Sequence, residues 1–165
     1  MEVNEYAASE MRYWCRTRDF GGVGYSQPGR HEAFDNSNWA GWLTGPGQMD
    51  CSAGVADAYN IAFHNNDDPF PHFPRSTWTG SLIADACARG FVDIGESWTG
   101  NTPPGGFAVG DLLLAPGHVV MAVRDSDDGF TASHPTLAEA WSDAVGDIYG
   151  SYGADGSSAD DTGFE

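Results

Sequence analysis

Two short segments contain residue types that can perform nucleophilic catalysis. Asp50-Cys51-Ser52 opens an apolar run with helical spacing, and Gly117-His118 opens a run typical of a β-strand. The N-terminus of a helix carries a partial positive charge and unpaired N–H groups, and both favour a thiolate over a thiol. A nearby imidazole can pass a proton to the leaving group. This pattern predicts Cys51 as a nucleophile and His118 as its general acid and base.

The other two cysteines, Cys15 and Cys87, lack this setting. Three cysteines allow at most one disulfide within the chain, and none forms the Cys-x-x-Cys pair typical of a zinc ribbon or a thioredoxin-like motif. Cys15 lies beside Trp14 on a predicted helix, and Cys87 lies in a helical stretch of small residues. We expect both to be structural thiols, with Cys87 in the core.

The elements that must position these residues are predicted from hydrophobic periodicity and turn signals. Helices are predicted at 3–17, at 50–63 and at about 79–89, the last followed by Gly90 as a C-cap. The second helix is expected to have one apolar face, formed by Val55, Ala58, Tyr59 and Ala62. Strands are predicted at 91–94, 112–114, 118–123, 130–133 and 137–141, with a hairpin turn at 125–129.

The remaining early segments are interpreted as irregular. Residues 20–29 form a glycine-rich loop, and residues 30–48 form a polar surface connection. Helices that come first and strands that come later indicate an α+β fold with a mainly antiparallel sheet.

Composition places the chain among globular proteins and argues against several classes of partner. With 165 residues, 41% of them apolar and 13% aromatic, it is predicted to form a single domain over residues 1–165. A net charge of −17, from 24 acidic residues and 7 arginines, argues against nucleic acid as a partner. No apolar run is long enough to predict a membrane span, and the acidic N-terminus lacks the pattern of a signal peptide.

No metal site and no cofactor are predicted. His31, His64 and His72 are scattered in polar or proline-rich segments, so they are interpreted as surface histidines rather than zinc ligands. The acidic runs at 67–68 and 125–128 are interpreted as solvated turns rather than calcium loops. Tryptophans at positions 39, 42, 78 and 98 have two interpretations. They line a groove that binds sugar or peptide, or they pack against other side chains of the protein.

The motifs and their order resemble the NlpC-type cell-wall cysteine peptidases, a papain-like family, and within it the catalytic domains of bacteriophage lysins. The blocks that carry the resemblance are Asp-Cys-Ser at 50–52, Gly-Asp-Leu-Leu at 110–113, Gly-His-Val at 117–119 and Gly-Tyr-Ser-Gln at 24–27. Residues 137–141, 146–150 and 161–165 resemble the end of the phage-lysin versions. Those versions continue into one more strand, which would be truncated here.

The resemblance implies a fold and a catalytic site. The fold would be papain-like and NlpC-type, with N-terminal helices packed on a central, mainly antiparallel sheet. A third catalytic residue would orient the imidazole from the next strand; Glu139 is the candidate and His134 its competitor, since many relatives use a histidine. Tyr25 would donate near the oxyanion together with the backbone N–H of Cys51. Ser52 would belong to this oxyanion and substrate region or serve only the helix start.

The function implied by the resemblance is hydrolysis of an amide bond in bacterial peptidoglycan, as in a phage endolysin. A stem-peptide endopeptidase is favoured over an N-acetylmuramoyl-alanine amidase. A thiol acyltransferase and a non-catalytic wall-binding or virion structural module are the alternatives. The expected partner is peptidoglycan, with a separate cell-wall-binding domain or a virion partner for targeting. The expected location is the cytoplasm of an infected host before release to the cell wall, or the virion.

Overall fold

Helices from the first half of the chain pack against an antiparallel sheet from the second half. A computed structural model describes residues 1–94, 106–123, 136–142 and 148–152. The helices are α1 (Val3–Arg16), α2 (Glu32–Asp35), α3 (Cys51–Asn65) and α4 (Leu82–Cys87), with a 3-10 turn at Asp19–Gly21. The strands are β1 (Val23–Tyr25), β2 (Gly47–Met49), β3 (Leu112–Ala115), β4 (His118–Val123), β5 (Thr136–Ser142) and β6 (Ile148–Tyr152).

The main sheet has four strands in the order β3-β4-β5-β6, and each pairs antiparallel with its neighbour. A separate parallel pair, β1 and β2, lies in the helical half of the chain. The prediction of a mixed α+β fold with helices first and a mainly antiparallel sheet is therefore confirmed.

The core lies between α1, α3 and the sheet. α1 packs against α3, and both helices contact β4. The buried side chains of α1 include Ala7, Met11 and Trp14, which recur at helical spacing. The helix ends at Arg16 because Thr17 takes an extended conformation.

α3 is the central helix of the fold. All thirteen residues from Cys51 to Phe63 are buried, so the prediction of a single apolar face is too narrow. Most of these side chains are small, and they let neighbouring elements approach from every side. Gly54 illustrates this closeness, because a Cβ there would lie 2.9 Å from Met49 Sδ.

β4 is buried on both faces, which explains its unbroken apolar sequence. Val119, Met121 and Val123 belong to the cluster that contains the helices. Val120 and Ala122 point to the opposite face, into a second cluster of buried residues, with Phe107, Leu113 and Leu137. The start and end of β4 match the prediction.

The segment after α4 corrects two predictions. The helix covers only Leu82–Cys87, and residues 91–94 are irregular rather than a strand. The backbone N–H groups of Gly90 and Phe91 turn back to the carbonyls of Cys87 and Ala86. These hydrogen bonds close the end of α4, and Gly90 has a φ of 86°, as expected for a C-cap glycine. The chain therefore turns back on the helix here instead of pairing with a strand.

The segment 20–48 is more regular than predicted. It contains α2, β1 and β2, which pair in parallel from Val23–Gly47 to Tyr25–Met49. The pairing is possible because Gly47 sits against α2, where a Cβ would lie 2.7 Å from the Cα of Ala33.

Several predictions fall on segments outside the described residues. These are the strand at 130–133, the turn at 125–129 and the block at 161–165. Among the helices that are described, none has the length and apolar character needed to cross a membrane.

Candidate active site

Cys51 is the first residue of α3, and the residue before it fixes that position. Asp50 is extended and its carboxylate accepts a hydrogen bond of 2.7 Å from the N–H of Ala53, which makes it the N-cap. Cys51 is therefore held at the helix end where unpaired N–H groups and the positive end of the helix dipole lie. Its thiol is free of disulfides, and the residue is only 4% exposed.

His118 is the first residue of β4, immediately after a tight turn. Ala115 pairs with His118 across the hairpin, so Pro116 and Gly117 are the two turn residues. Gly117 has a φ of 81°, a conformation that favours glycine, and Pro at the preceding position is typical of such a turn. The turn therefore determines the position of His118 at the start of β4.

Glu139 lies in the middle of β5, the neighbour of β4. Its Oε2 is 2.7 Å from Nε2 of His118, and the glutamate is only 5% exposed. Because Nε2 bonds this carboxylate, Nδ1 is left for the hydrogen bond that His118 makes to Cys51. The imidazole therefore lies between the thiol of α3 and the carboxylate of β5.

The surroundings of His118 favour its charged form. Burial lowers the pKa of His118, but the hydrogen bonds to Cys51 and Glu139 outweigh burial and raise the pKa to about 9. An imidazolium held between a sulphur atom and a carboxylate can protonate a departing amine. The three residues thus have the arrangement of a cysteine nucleophile, its acid–base partner and an orienting carboxylate.

Arg30 stabilises the start of α3 from outside the helix. Its Nε lies 3.2 Å from Asp50 Oδ2, and its Nη2 donates to the hydroxyl of Ser52 at 3.0 Å. The same Nη2 donates to the carbonyl of Thr77 at 2.5 Å. The guanidinium therefore offsets the negative charge of Asp50 beside Cys51 and ties the segment around residue 77 to this helix end.

Ser52 and Tyr25 occupy different positions around Cys51. The Ser52 hydroxyl donates to Asp50 Oδ1 at 3.1 Å and accepts from Arg30, which places it in the helix-start network. Tyr25 ends β1 and pairs with Met49, two residues before Cys51. Its hydroxyl accepts a hydrogen bond of 3.4 Å from Gln27 Nε2. His134, the competitor for the third catalytic position, lies outside the described residues.

His31 corrects the interpretation of a surface histidine. It is 8% exposed, with Nδ1 2.6 Å from Asp57 Oδ2 and Nε2 donating to the carbonyl of Arg75 at 2.8 Å. Burial opposes protonation of His31, but the bonds to Asp57 and Arg75 outweigh it and raise the pKa of the histidine. Burial also raises the pKa of Asp57 to about 6. His64 and His72 are exposed, as predicted.

The two other cysteines differ from each other. Cys15 is buried and donates from Sγ to the backbone carbonyl of Glu139 at 3.5 Å, and burial raises the pKa of its thiol to about 12. It has the inert, structural character that was predicted. Cys87 is exposed instead of lying in the core, because the short α4 buries Leu82 and Ala86 and turns Cys87 to the surface.

The sequence patterns miss Arg30 and His31. Their partners, Asp50 and Asp57, lie 20 or more positions away, and no local spacing connects a cation to them. The only signal in the sequence is general: the 7 arginines are far outnumbered by carboxylates, and a charged side chain that is buried needs a partner of opposite charge.

Within the described residues, no group of three or more histidine, cysteine, aspartate or glutamate side chains is placed to hold a metal ion. Comparison of the chain with protein-family models, with curated proteins and with solved structures finds no match.

Proposed function

We propose that this chain is a cysteine hydrolase that cleaves amide bonds by a thiol mechanism. The observation that carries the proposal is the imidazole of His118, hydrogen-bonded to Cys51 on one side and to Glu139 on the other. The thiolate of Cys51 attacks the carbonyl carbon, and His118 gives its proton to the amine as the C–N bond breaks. Water, deprotonated by His118, then hydrolyses the thioester and releases the acid.

We further propose a papain-like, NlpC-type fold and peptidoglycan as the substrate, as in bacteriophage endolysins. The support is the order of the Gly-Tyr-Ser-Gln, Asp-Cys-Ser, Gly-Asp-Leu-Leu and Gly-His-Val blocks along the chain. A stem-peptide endopeptidase is favoured over an amidase that cuts next to muramic acid. A separate wall-binding domain or a virion partner would bring the enzyme to the wall.

The proposal is tested by incubating purified peptidoglycan sacculi with the wild-type chain and with Cys51→Ala, followed by mass spectrometry of the soluble products. We expect fragments only with the wild type, and their new termini identify the bond. Cys87→Ala is the matched control, because it removes an exposed thiol outside the site and should leave the products unchanged. No fragments from a folded wild type, across sacculi of different stem chemistry, would contradict the proposal.

Thiol labelling distinguishes the enzyme from a non-catalytic module with the same fold. Iodoacetamide near neutral pH should modify Cys51 faster than Cys87, although Cys51 is 4% exposed and Cys87 is exposed. Labelling of Cys51 no faster than of Cys87 would favour the wall-binding or structural alternative. Transfer of the acyl group to an added amine in preference to water would favour the acyltransferase.

A further inference from the structure

A cleft of about 390 Å³ opens beside the candidate active site. One wall consists of residues 78–80, and the other consists of residues 114–117, at the end of β3 and in the following turn. The second wall leads directly into His118, the next residue along the chain.

The first wall is joined to the nucleophile. Thr77, the residue before this wall, is 1% exposed, and its carbonyl accepts a hydrogen bond from Arg30. The same guanidinium donates to Ser52 and pairs with Asp50 at the start of α3. The neighbouring His31 donates in the same way to the carbonyl of Arg75. Arg30 and His31 therefore tie the segment before this wall to α3: Arg30 bonds the start of the helix that carries Cys51, and His31 bonds Asp57 in the same helix. The opposite wall ends at Gly117, next to His118, so both walls are connected to the candidate site.

Trp78 is a flat aromatic surface inside this cleft. The residue is 59% exposed, and its ring lies against Gly80, where a Cβ would be 2.3 Å from the indole carbon Cη2. Only glycine allows the indole to take this position. Leu114, 39% exposed, provides an apolar surface on the opposite wall.

Among the described residues that line the cleft none is ionisable, although the molecule has a net charge of −17. An anionic ligand would be repelled by the overall field, and the described lining offers it no cation. A neutral group with a polar rim and an apolar face fits better. In peptidoglycan the stem peptide carries carboxylates, whereas the N-acetylated sugar rings are neutral and have one apolar C–H face.

We propose that this cleft binds an N-acetylated sugar ring of the glycan strand, with the apolar face of the ring on Trp78. The inference rests on the proposed function, because it assigns to the same site a preference for stem peptides that are still attached to glycan. The sugar lies in the cleft while the peptide reaches Cys51 and His118. Trp78 is then a specificity residue and takes no part in the chemical steps.

Binding is measured first, with the inactive Cys51→Ala variant and an oligomer of N-acetylglucosamine as the probe, by calorimetry or ligand-observed NMR. In this Cys51→Ala background, the second substitution Trp78→Ala should raise the dissociation constant for the oligomer about tenfold or more. Adding Gly80→Ala should do the same, because the new methyl group displaces the indole without removing it. Trp42→Ala is the control, since Trp42 is 64% exposed but outside the cleft, and it should leave binding unchanged.

Hydrolysis is measured second, with active protein on glycan-linked stem peptides and on free stem peptides. Trp78→Ala should raise KM for the glycan-linked substrate about tenfold with kcat within about twofold, and should leave free peptides unaffected. An equal loss on both substrates would mean that the cleft holds peptide and would overturn the inference, as would sugar binding that is independent of Trp78. If the sugar binds through Trp78 but no substrate is cleaved, the hydrolase proposal fails and the sugar site stands.

Discussion

At the scale of single residues, the charge of His118 depends on its two partners. Both Cys51 and Glu139 accept hydrogen bonds from the ring and favour the imidazolium, and their combined effect exceeds the cost of burial. With a pKa of about 9, His118 carries at neutral pH the proton that the leaving amine needs in the proposed mechanism. On the alkaline side, the rate of the proposed hydrolysis should therefore fall above about pH 9, as this proton is lost.

Glu139→Gln tests the contribution of the carboxylate. Glutamine still accepts the hydrogen bond from Nε2, but it removes the negative charge that stabilises the imidazolium, so the pKa of His118 falls. We expect the alkaline limb of the kcat/KM profile to move down by about one pH unit.

The same profile is measured for Glu139→Ala and for Glu32→Gln. The alanine variant loses orientation as well as charge, so it should also lose rate at every pH. Glu32 is an exposed glutamate of α2, and its neutralisation should leave the profile in place. An unchanged alkaline limb in Glu139→Gln would show that the carboxylate does not set the charge of His118.

Residue-scale prediction from sequence works where a residue type coincides with a local pattern. Cys51 follows an N-cap residue and His118 follows a proline-glycine turn, so both positions could be read without knowledge of the fold. His31 could not, because its burial depends on Asp57 and on the carbonyl of Arg75, and only tertiary folding brings these groups together.

At the scale of elements, the N-terminus of α3 holds Cys51 in place. Asp50 caps the helix, bonds Ser52 and pairs with Arg30, and is itself 3% exposed. A buried carboxylate that makes several such contacts is costly to remove, because its partners lose their bonds together.

Asp50→Ala should lower the free energy of unfolding by about 2–4 kcal/mol, through loss of the cap and of the ion pair with Arg30. Urea-induced unfolding followed by circular dichroism measures this change. Asp50→Asn is the matched comparison, because asparagine is an equally good N-cap but cannot pair with the guanidinium, and it should recover about 1 kcal/mol. A loss below about 0.5 kcal/mol in Asp50→Ala would show that water replaces these contacts.

The elements that could be predicted are those with long, regular patterns. α1, α3 and β4 each contain enough apolar residues to define a period, and their starts are correct within one residue. β1 and β2 have three residues each, too few to show alternation, and they exist because they pair with one another. Residues 91–94 have strand-like composition, but the hydrogen bonds that close α4 direct them elsewhere.

At the scale of the whole molecule, the dominant property is net negative charge. The 24 acidic side chains repel one another in the folded state, because seven arginines leave a net charge of −17 on 165 residues. Screening by salt reduces this repulsion, because the Debye length shrinks from about 30 Å at 0.01 M to about 3 Å at 1 M.

Raising the NaCl concentration from about 0.02 M to 0.5 M should therefore raise the melting temperature by roughly 3–8 °C, equivalent to about 1–2 kcal/mol for a chain of this size. Differential scanning calorimetry measures the shift. The same comparison near pH 4.2, where the net charge approaches zero, is the control and should show a much smaller effect. A melting temperature that falls with salt would mean that attractive ion pairs outweigh the net repulsion.

The candidate site is divided between a helical first half of the chain and a sheet in the second half, so synthesis of the chain assembles it in a fixed order. A ribosome completes α3 and Cys51 well before β4 and β5 supply His118 and Glu139. Until those strands emerge and pair, the thiol has neither a proton donor nor a group to orient one. In the proposed mechanism, a nascent or truncated chain that lacks them would be inactive, so the proposed activity could begin only after β5 has been synthesised.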